Sequence, residues 1–415
     1  MIIISNYSTT QDQIMVGNKM LDFRPHVAYV STYPPRACGI ATYTRDLARA
    51  MTMQDEIGRY LVVAIIEENG NRRYDSHVHF MIDQHYRASY LRAAHFLNES
   101  DVDVVNIQHE FGIFGGEWGR YVLDIYRNLR RPIVTTFHTV LPNPSDEANR
   151  IVTKIVESSE AVVVTIESAA DLLRELVGIS SEKVKVIRHG AALPEHGRQS
   201  YAKRFLGLQK STVLATCGLI SSGKGIEYVI SALPRLVKDR PDLLYLVIGE
   251  THPEVRKHEG EAYRQKLISL TNQLHLQDNV QFVDRYLPDD ELSIYLQAVD
   301  LYVAPYLGRD QVSSGTLTLA LGHGKAIIAT PTLFAEEALS GDRGLFCEFA
   351  DFHSVTECAE RILSDPKLKL KLETNALKYG QDLGWTKVAE QYGELLRSAI
   401  GFPRTVGEAS EVSEV

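Results

Sequence analysis

The stretch DQVSSGTLTLALGHGKAIIATP at 310–331 has the residue types and spacing to hold an anion. Ser313, Ser314 and Thr316 flank Gly315 where the apolar run TLTLAL begins, so hydroxyls and backbone N–H groups converge on an expected helix start. The first N–H groups of a helix lack partners inside it and sit at the positive end of its dipole, which suits phosphate. Gly322 and Gly324 are expected to close the helix, and AIIAT reads as a short strand buried on both faces. The plainer account of these residues is a Ser-capped helix packed on a sheet.

Two further clusters could touch a polar ligand. Gln108, His109 and Glu110 follow the strand-like VVNIQ, and His138 follows PIVTTF. Ligands of open parallel sheets collect at the carboxyl ends of strands, so these are candidate sugar contacts. A lone histidine is more often a structural hydrogen-bonder than a catalyst. At the first strand, HVAYVS, the following PPRACGIATYT holds the chain extended through Pro34 and Pro35, and Gly39 permits a tight turn into a helix.

Elements able to position these residues recur along the chain. Val/Ile-rich runs near 60, 104, 132, 161 and 184 alternate with helical patterns, which predicts a parallel sheet covered on both faces. RHGAALPEHGRQS reads as a boundary near 190–205, after which TVLATCG, LLYLVIG, VQFVD, DLYVAP and AIIAT form a second series. The expected organisation is an arm at 1–25, an α/β domain at 26–195, a second at 200–380, a helix at 381–400 that packs back on the first, and a tail at 401–415. A chain of 415 residues suits two domains of roughly 200 residues.

Composition narrows the function. Hydrophobic residues at 44% and charged residues at 23% describe a globular protein, and no run is apolar for long enough to cross a bilayer. Cys38, Cys217, Cys347 and Cys358 have neither metal-ligand spacing nor a disulfide framework. The start MIIISNYSTT lacks the features of a secretory signal, so a reducing cytoplasm is the expected compartment. A net charge of −9 argues against nucleic acid as the main partner, with RNLRR at 127–131 as a local basic patch. Contact with a membrane surface stays open, and the sequence is silent on oligomeric state.

The order of motifs resembles the retaining glycosyltransferases of the GT-B fold, family 4, over most of residues 26–400. CGIATYTRDL is similar to that family's first glycine loop, VIRHGA to its interdomain motif, and GLISSGKGIEYVISALPRL to the opening of its donor domain. VQFVDRYLPDDELSIYLQAVDLYVAPY and the 310–331 stretch follow in the expected order. The resemblance implies an α/β architecture of two Rossmann-like domains facing a cleft. It also implies transfer of a hexosyl group from a UDP- or GDP-sugar to a saccharide, lipid or small-molecule acceptor, with no cofactor and no metal.

Charge building on the departing phosphate must then be met by the protein. Lys224 in SSGKG matches the family's phosphate lysine, with Ser222 and Gly223 in the same turn; Gly39, Ser313, Ser314, Gly315 and Thr316 are the donor-side cradle. His138 matches the histidine near the donor sugar, and His109 and Glu110 are acceptor-side or catalytic candidates. Glu336 and Glu337 are candidates for sugar hydroxyls. Three departures stand out: Leu219 occupies the place of an arginine, and Gln311 and Leu319 occupy the places of paired glutamates. Arg285 or Arg309 could supply the missing cation and Asp310 the missing carboxylate. Two alternatives follow, a retaining glycoside phosphorylase using phosphate or a sugar 1-phosphate, and a non-catalytic sugar-binding protein on the same scaffold.

Overall fold

The computed structural model describes residues 23–67, 73–178, 182–194 and 199–401. The expected N-terminal arm and C-terminal tail lie almost wholly outside them.

Mostly apolar runs of two to eight residues make two parallel sheets. The first contains β1 (His26–Ser31), β2 (Arg59–Ile66), β3 (Val78–Asp83), β4 (Val104–His109), β5 (Ile133–Phe137), β6 (Ala161–Val164) and β7 (Val184–Val186). Its order is β3-β2-β1-β4-β5-β6-β7. The second contains β8 (Thr212–Cys217), β9 (Leu243–Ile248), β10 (Val280–Val283), β11 (Leu301–Ala304), β12 (Ala326–Ala329) and β13 (Leu345–Phe346), in the order β10-β9-β8-β11-β12-β13. Strand order reverses between β1 and β4 in the first sheet and between β8 and β11 in the second. These are the points where crevices open at the strands' carboxyl ends.

The helices that shape the cleft and its flanks are α1 (Gly39–Met53), α2 (Arg87–Glu99), α3 (Leu123–Asn128), α4 (Asp146–Ser158) and α5 (Glu167–Val177) in the first half. In the second they are α6 (Ile226–Asp239), α7 (Asp289–Ala298), α8 (Gly315–Gly322), α9 (Leu333–Ala338) and α10 (Trp385–Ile400).

Alternation along β1 sends Ala28 and Val30 to one face of the first sheet and Val27 and Tyr29 to the other. Helices α2 to α5 cover the former through Tyr90, Tyr126, Ile155 and Leu173. On the other face α1 supplies Tyr43, Leu47 and Met51, and the last helix, α10, supplies Val388, Tyr392 and Leu396. Each such buried side chain stabilises the fold by roughly 1.5–3 kcal/mol relative to exposure. Tyr392 also ties α10 to this face: its hydroxyl lies 3.0 Å from that of Tyr43 and 2.9 Å from Thr136 Oγ1. Arg397 reaches Glu56 at 2.7 Å.

Candidate active site

A cavity of about 930 Å³ lies between the two halves, over both reversal points. Its walls include Arg36 to Gly39 after β1, Glu110 after β4, and His138 and Thr139 after β5. The opposite wall is Gly218, Leu219 and Lys224 after β8, Glu250 and His252 after β9, and Asp310 to Thr316 after β11.

Lys224 ends a tight turn, Ser222–Lys224, that docks on the end of β11. Gly225 follows in a left-handed conformation (φ +64°), and a Cβ there would fall 2.1 Å from the Pro305 carbonyl oxygen. The Leu307 N–H donates to the Gly223 carbonyl at 3.0 Å, so the turn is pinned from both sides. The Lys224 ammonium then sits 4.3 Å above the Tyr306 ring. A Cβ on Gly218 would lie 3.4 Å from Lys224 Nζ and 3.2 Å from Thr316 Cγ2, so lysine and threonine converge over this glycine. Tyr306 in turn holds Thr316, with its hydroxyl 2.9 Å from Thr316 Oγ1.

At the start of α8, the buried Ser314 caps the helix, its Oγ accepting from Leu317 N at 3.3 Å. The Gly315 and Thr316 amides find no acceptor among the described residues. Arg36 pairs with Glu67 at 2.8 Å, and Arg256 with Glu261 at 2.7 Å. Lys224 is the one cavity-lining cation that enters no ion pair among the described residues. An anion arriving there meets an ammonium and two open N–H groups, with no carboxylate to displace.

His138 and His189 are neutral at pH 7. A hydrogen-bond relay fixes His138: the Val134 carbonyl accepts from Asn106 Nδ2, Asn106 Oδ1 accepts from Gln108 Nε2, and Gln108 Oε1 lies 2.8 Å from His138 Nε2. Because the relay ends on a carbonyl, His138 Nε2 carries the proton and Nδ1 keeps its lone pair. Burial, with His189 and His109 nearby, pushes His138 down to about 3, and burial brings His189 to about 4. Burial raises Glu110, whose carboxylate accepts from Thr139 Oγ1 and from Phe111 N.

A family model for glycosyl transferases group 1 matches residues 199–379, and one for glycosyltransferase family 4 matches residues 37–193. The two models together span most of the chain, which is a glycosyltransferase. A phosphatidyl-myo-inositol mannosyltransferase of Propionibacterium freudenreichii subsp. shermanii is 26% identical over 308 residues, 72% of this chain and 71% of that protein. A D-inositol 3-phosphate glycosyltransferase of Corynebacterium diphtheriae is 25% identical over 311 residues, 69% of each. Among solved structures, Anabaena HepE in complex with UDP and glucose superposes with a TM-score of 0.70 at 16% identity, over 90% of this chain and 100% of that one. Sucrose-phosphate synthase of Thermosynechococcus elongatus gives 0.72 at 18% identity, over 91% and 100%. The fold is GT-B.

Of the residues singled out in this glycosyltransferase's sequence, the structure brings Gly39, Glu110, His138, Lys224, Asp310, Gln311, Ser313, Ser314, Gly315 and Thr316 to one cavity. Leu219 and Leu319 line it too, and the remaining candidates lie outside. His109 is fully buried among Phe111, Phe114 and Phe137, with no partner for either ring nitrogen among the described residues, and burial pushes it down to about 3. It is a packing residue. Ser222 and Gly223 shape the Lys224 turn without lining the cavity.

Arg285 pairs with Glu291 in the acidic first turn of α7, and Arg309 faces solvent 3.5 Å from Glu336. Neither lines the cavity. Helix α9 turns Phe334, Ala335 and Ala338 inward, so Glu336 and Glu337 face away from the cavity. Glu337 instead caps α5 across the domain boundary, accepting from Glu167 N at 2.8 Å and Ser168 N at 3.3 Å.

Sequence reasoning overlooked His189, Trp385, Asp46, Arg36 and His252 on the cavity wall. His189 lay in the quoted VIRHGA motif, and Arg36 three residues before Gly39. Asp46 lay in the quoted CGIATYTRDL motif, whereas Trp385 had no local signal, because only the tertiary fold carries the start of α10 to the cleft. Among the described residues no cluster of His, Cys, Asp or Glu suits a metal ion, and no helix is long and apolar enough to cross a membrane.

Proposed function

We propose that this glycosyltransferase moves a hexosyl group from a UDP- or GDP-sugar to a hydroxyl of a sugar-containing acceptor, with anomeric configuration kept and no dissociable metal. The observation that carries the reading is the unpaired Lys224 ammonium over Tyr306, facing the open Gly315 and Thr316 amides. As the bond from the anomeric carbon to the phosphate oxygen breaks, negative charge grows on that oxygen. A cation and fixed N–H dipoles already in place stabilise it without reorganising. Charge-assisted hydrogen bonds are each worth roughly 1.5–3 kcal/mol, so this cradle can offset the arginine absent at Leu219.

The acceptor oxygen bonds to the anomeric carbon on the face the phosphate leaves, and its proton passes to the departing phosphate oxygen. His138 orients the donor sugar: its neutral ring offers the Nδ1 lone pair to a hydroxyl and adds no charge. Glu110, beside Thr139, lies on the acceptor side of the cavity.

Both nucleotides stay in the reading. A relative in Corynebacterium glutamicum is named as GDP-mannose-dependent, whereas the Anabaena neighbour holds UDP. The names of the curated relatives, phosphatidyl-myo-inositol and inositol 3-phosphate enzymes, favour a phosphorylated polyol acceptor.

A donor panel of UDP-glucose, UDP-N-acetylglucosamine and GDP-mannose tests this, with proton NMR of the released or transferred sugar. One donor should be consumed, with the α-configuration kept, in the presence of EDTA; an inverted product or a metal requirement would contradict it. Leu219 and Leu319 on the cavity wall favour one second reading, a retaining phosphorylase, since neither side chain can bond a nucleotide. Phosphate-dependent release of sugar phosphate from an oligosaccharide, with no nucleotide needed, would establish that alternative.

A further inference from the structure

A second cavity, of about 500 Å³, lies on the outer flank of the first domain, and its wall is dominated by cations. Arg87 comes from the start of α2, Arg120 from the turn before α3, Arg127 from α3, and Arg150 and Lys154 from α4. Arg127 belongs to RNLRR, the basic run that the cleft chemistry leaves unused.

Among the described residues, two carboxylates pair with these five cations. Asp124 sits beneath, taking two bonds from Arg87, at 2.7 and 3.1 Å, and one from Arg127 at 3.3 Å. That two-point contact orients the guanidinium and leaves its other N–H groups free to point away. Glu147 pairs with Arg150. Arg120 and Lys154 have no ion-pair partner among the described residues. In a chain of net charge −9, such a surplus of like charge costs free energy unless something negative offsets it.

Placement sets the groove apart from a random basic surface. Helices α2 and α4 begin just past the carboxyl ends of β3 and β5, the end of the sheet that also opens on the cleft. Two chain segments run from one site to the other. Glu110, Gly112 and Ile113 line the cleft while Arg120 lines the groove, and His138 and Thr139 line the cleft while Arg150 lines the groove.

We propose that this groove is a second binding site, for a phosphate ester, presented on a lipid headgroup or on a soluble phosphorylated sugar. Tight clustering of guanidinium groups in a concave site matches the several oxygens of one phosphate, and Arg120 and Lys154 are the contacts that such a ligand would complete. The inference is independent of the donor reading, since no residue is shared between the two cavities.

The test compares the intact chain with an Arg120→Gln/Arg150→Gln/Lys154→Gln variant. Three probes are used at physiological ionic strength: phosphatidylcholine vesicles with and without phosphatidylglycerol, glucose 6-phosphate, and a short single-stranded RNA. The intact chain should bind phosphatidylglycerol vesicles or glucose 6-phosphate, the positive probe identifying the source of the phosphate. The triple variant should bind that probe at least about tenfold more weakly. A charge-keeping Arg120→Lys/Arg150→Lys variant should bind that probe more weakly than the intact chain but more tightly than the triple variant, and an unchanged melting temperature in all three separates lost contacts from lost fold. Binding of neither phosphate probe, equal binding by the triple variant, or binding of RNA alone would overturn the proposal.

Discussion

At the scale of single residues, the site is defined by which polar groups are left without partners. His109 and Lys224 are both unpaired, with opposite meanings. His109 is enclosed by phenyl rings, where an unpaired nitrogen has only a cost; Lys224 faces a cavity, where an unpaired ammonium can receive an anion. His109→Phe should therefore leave stability at pH 7 unchanged or higher. It should also reduce acid sensitivity. The native ring is held neutral down to about 3, while the unfolded ring takes up a proton below its ordinary value of 6.5, so stability falls with pH between those limits. Removing one such group should spare about 2 kcal/mol of the loss between pH 7 and pH 5, measured by urea unfolding at the two pH values. Tyr306→Phe probes the other residue: it keeps the ring under Lys224 but frees Thr316. Turnover should fall by about tenfold with little change in melting temperature, and equal loss of both would instead assign Tyr306 to packing.

At the scale of elements, glycine placement decides how closely the parts of the cleft approach. A Cβ on Gly190 would fall 2.3 Å from the Trp385 ring, the residue that opens α10. Gly190→Ala should cost about 1–3 kcal/mol in chemical unfolding by pushing α10 off the first domain; a cost near zero would mean that the tryptophan moves aside freely.

Both sheets were legible in the sequence because buried parallel strands read as continuous Val/Ile/Leu runs. The two missed strands have physical reasons. β3 is an edge strand whose VHFMID alternates exposed and covered residues, and β13 has only two residues. The start of α8 was also legible, since Ser314, Gly315 and the apolar run stand together in sequence. The misplacement of Arg285, Arg309, Glu336 and Glu337 has one cause: nearness in sequence to a site says nothing of which way a helix face or a guanidinium turns.

At the scale of the whole molecule, the two halves touch on both sides of the cavity. On one rim Thr42 Oγ1 lies 2.7 Å from the Tyr286 hydroxyl, and Arg45 bridges Asp46 and Asp289. On the opposite side Thr165 Oγ1 donates to the Val312 carbonyl at 3.0 Å, and Glu337 caps α5. The first rim is built from exposed and half-buried side chains and is the weaker, so closure should be sensitive there. Arg45→Ala should raise the donor KM by no more than about fivefold and leave kcat nearly unchanged, because a partly exposed ion pair contributes only about 1 kcal/mol or less. A drop in kcat alone would place Arg45 in the chemistry.

The central claim is that a donor phosphate settles between the Lys224 ammonium and the amides that begin α8. Calorimetric titration of UDP and GDP into the native protein and a Lys224→Gln variant tests it most directly. The account predicts that one nucleotide binds the native protein and that the variant binds it about 10- to 100-fold more weakly at unchanged melting temperature. Equal affinity in the two proteins, or binding of neither nucleotide to the native one, would contradict it.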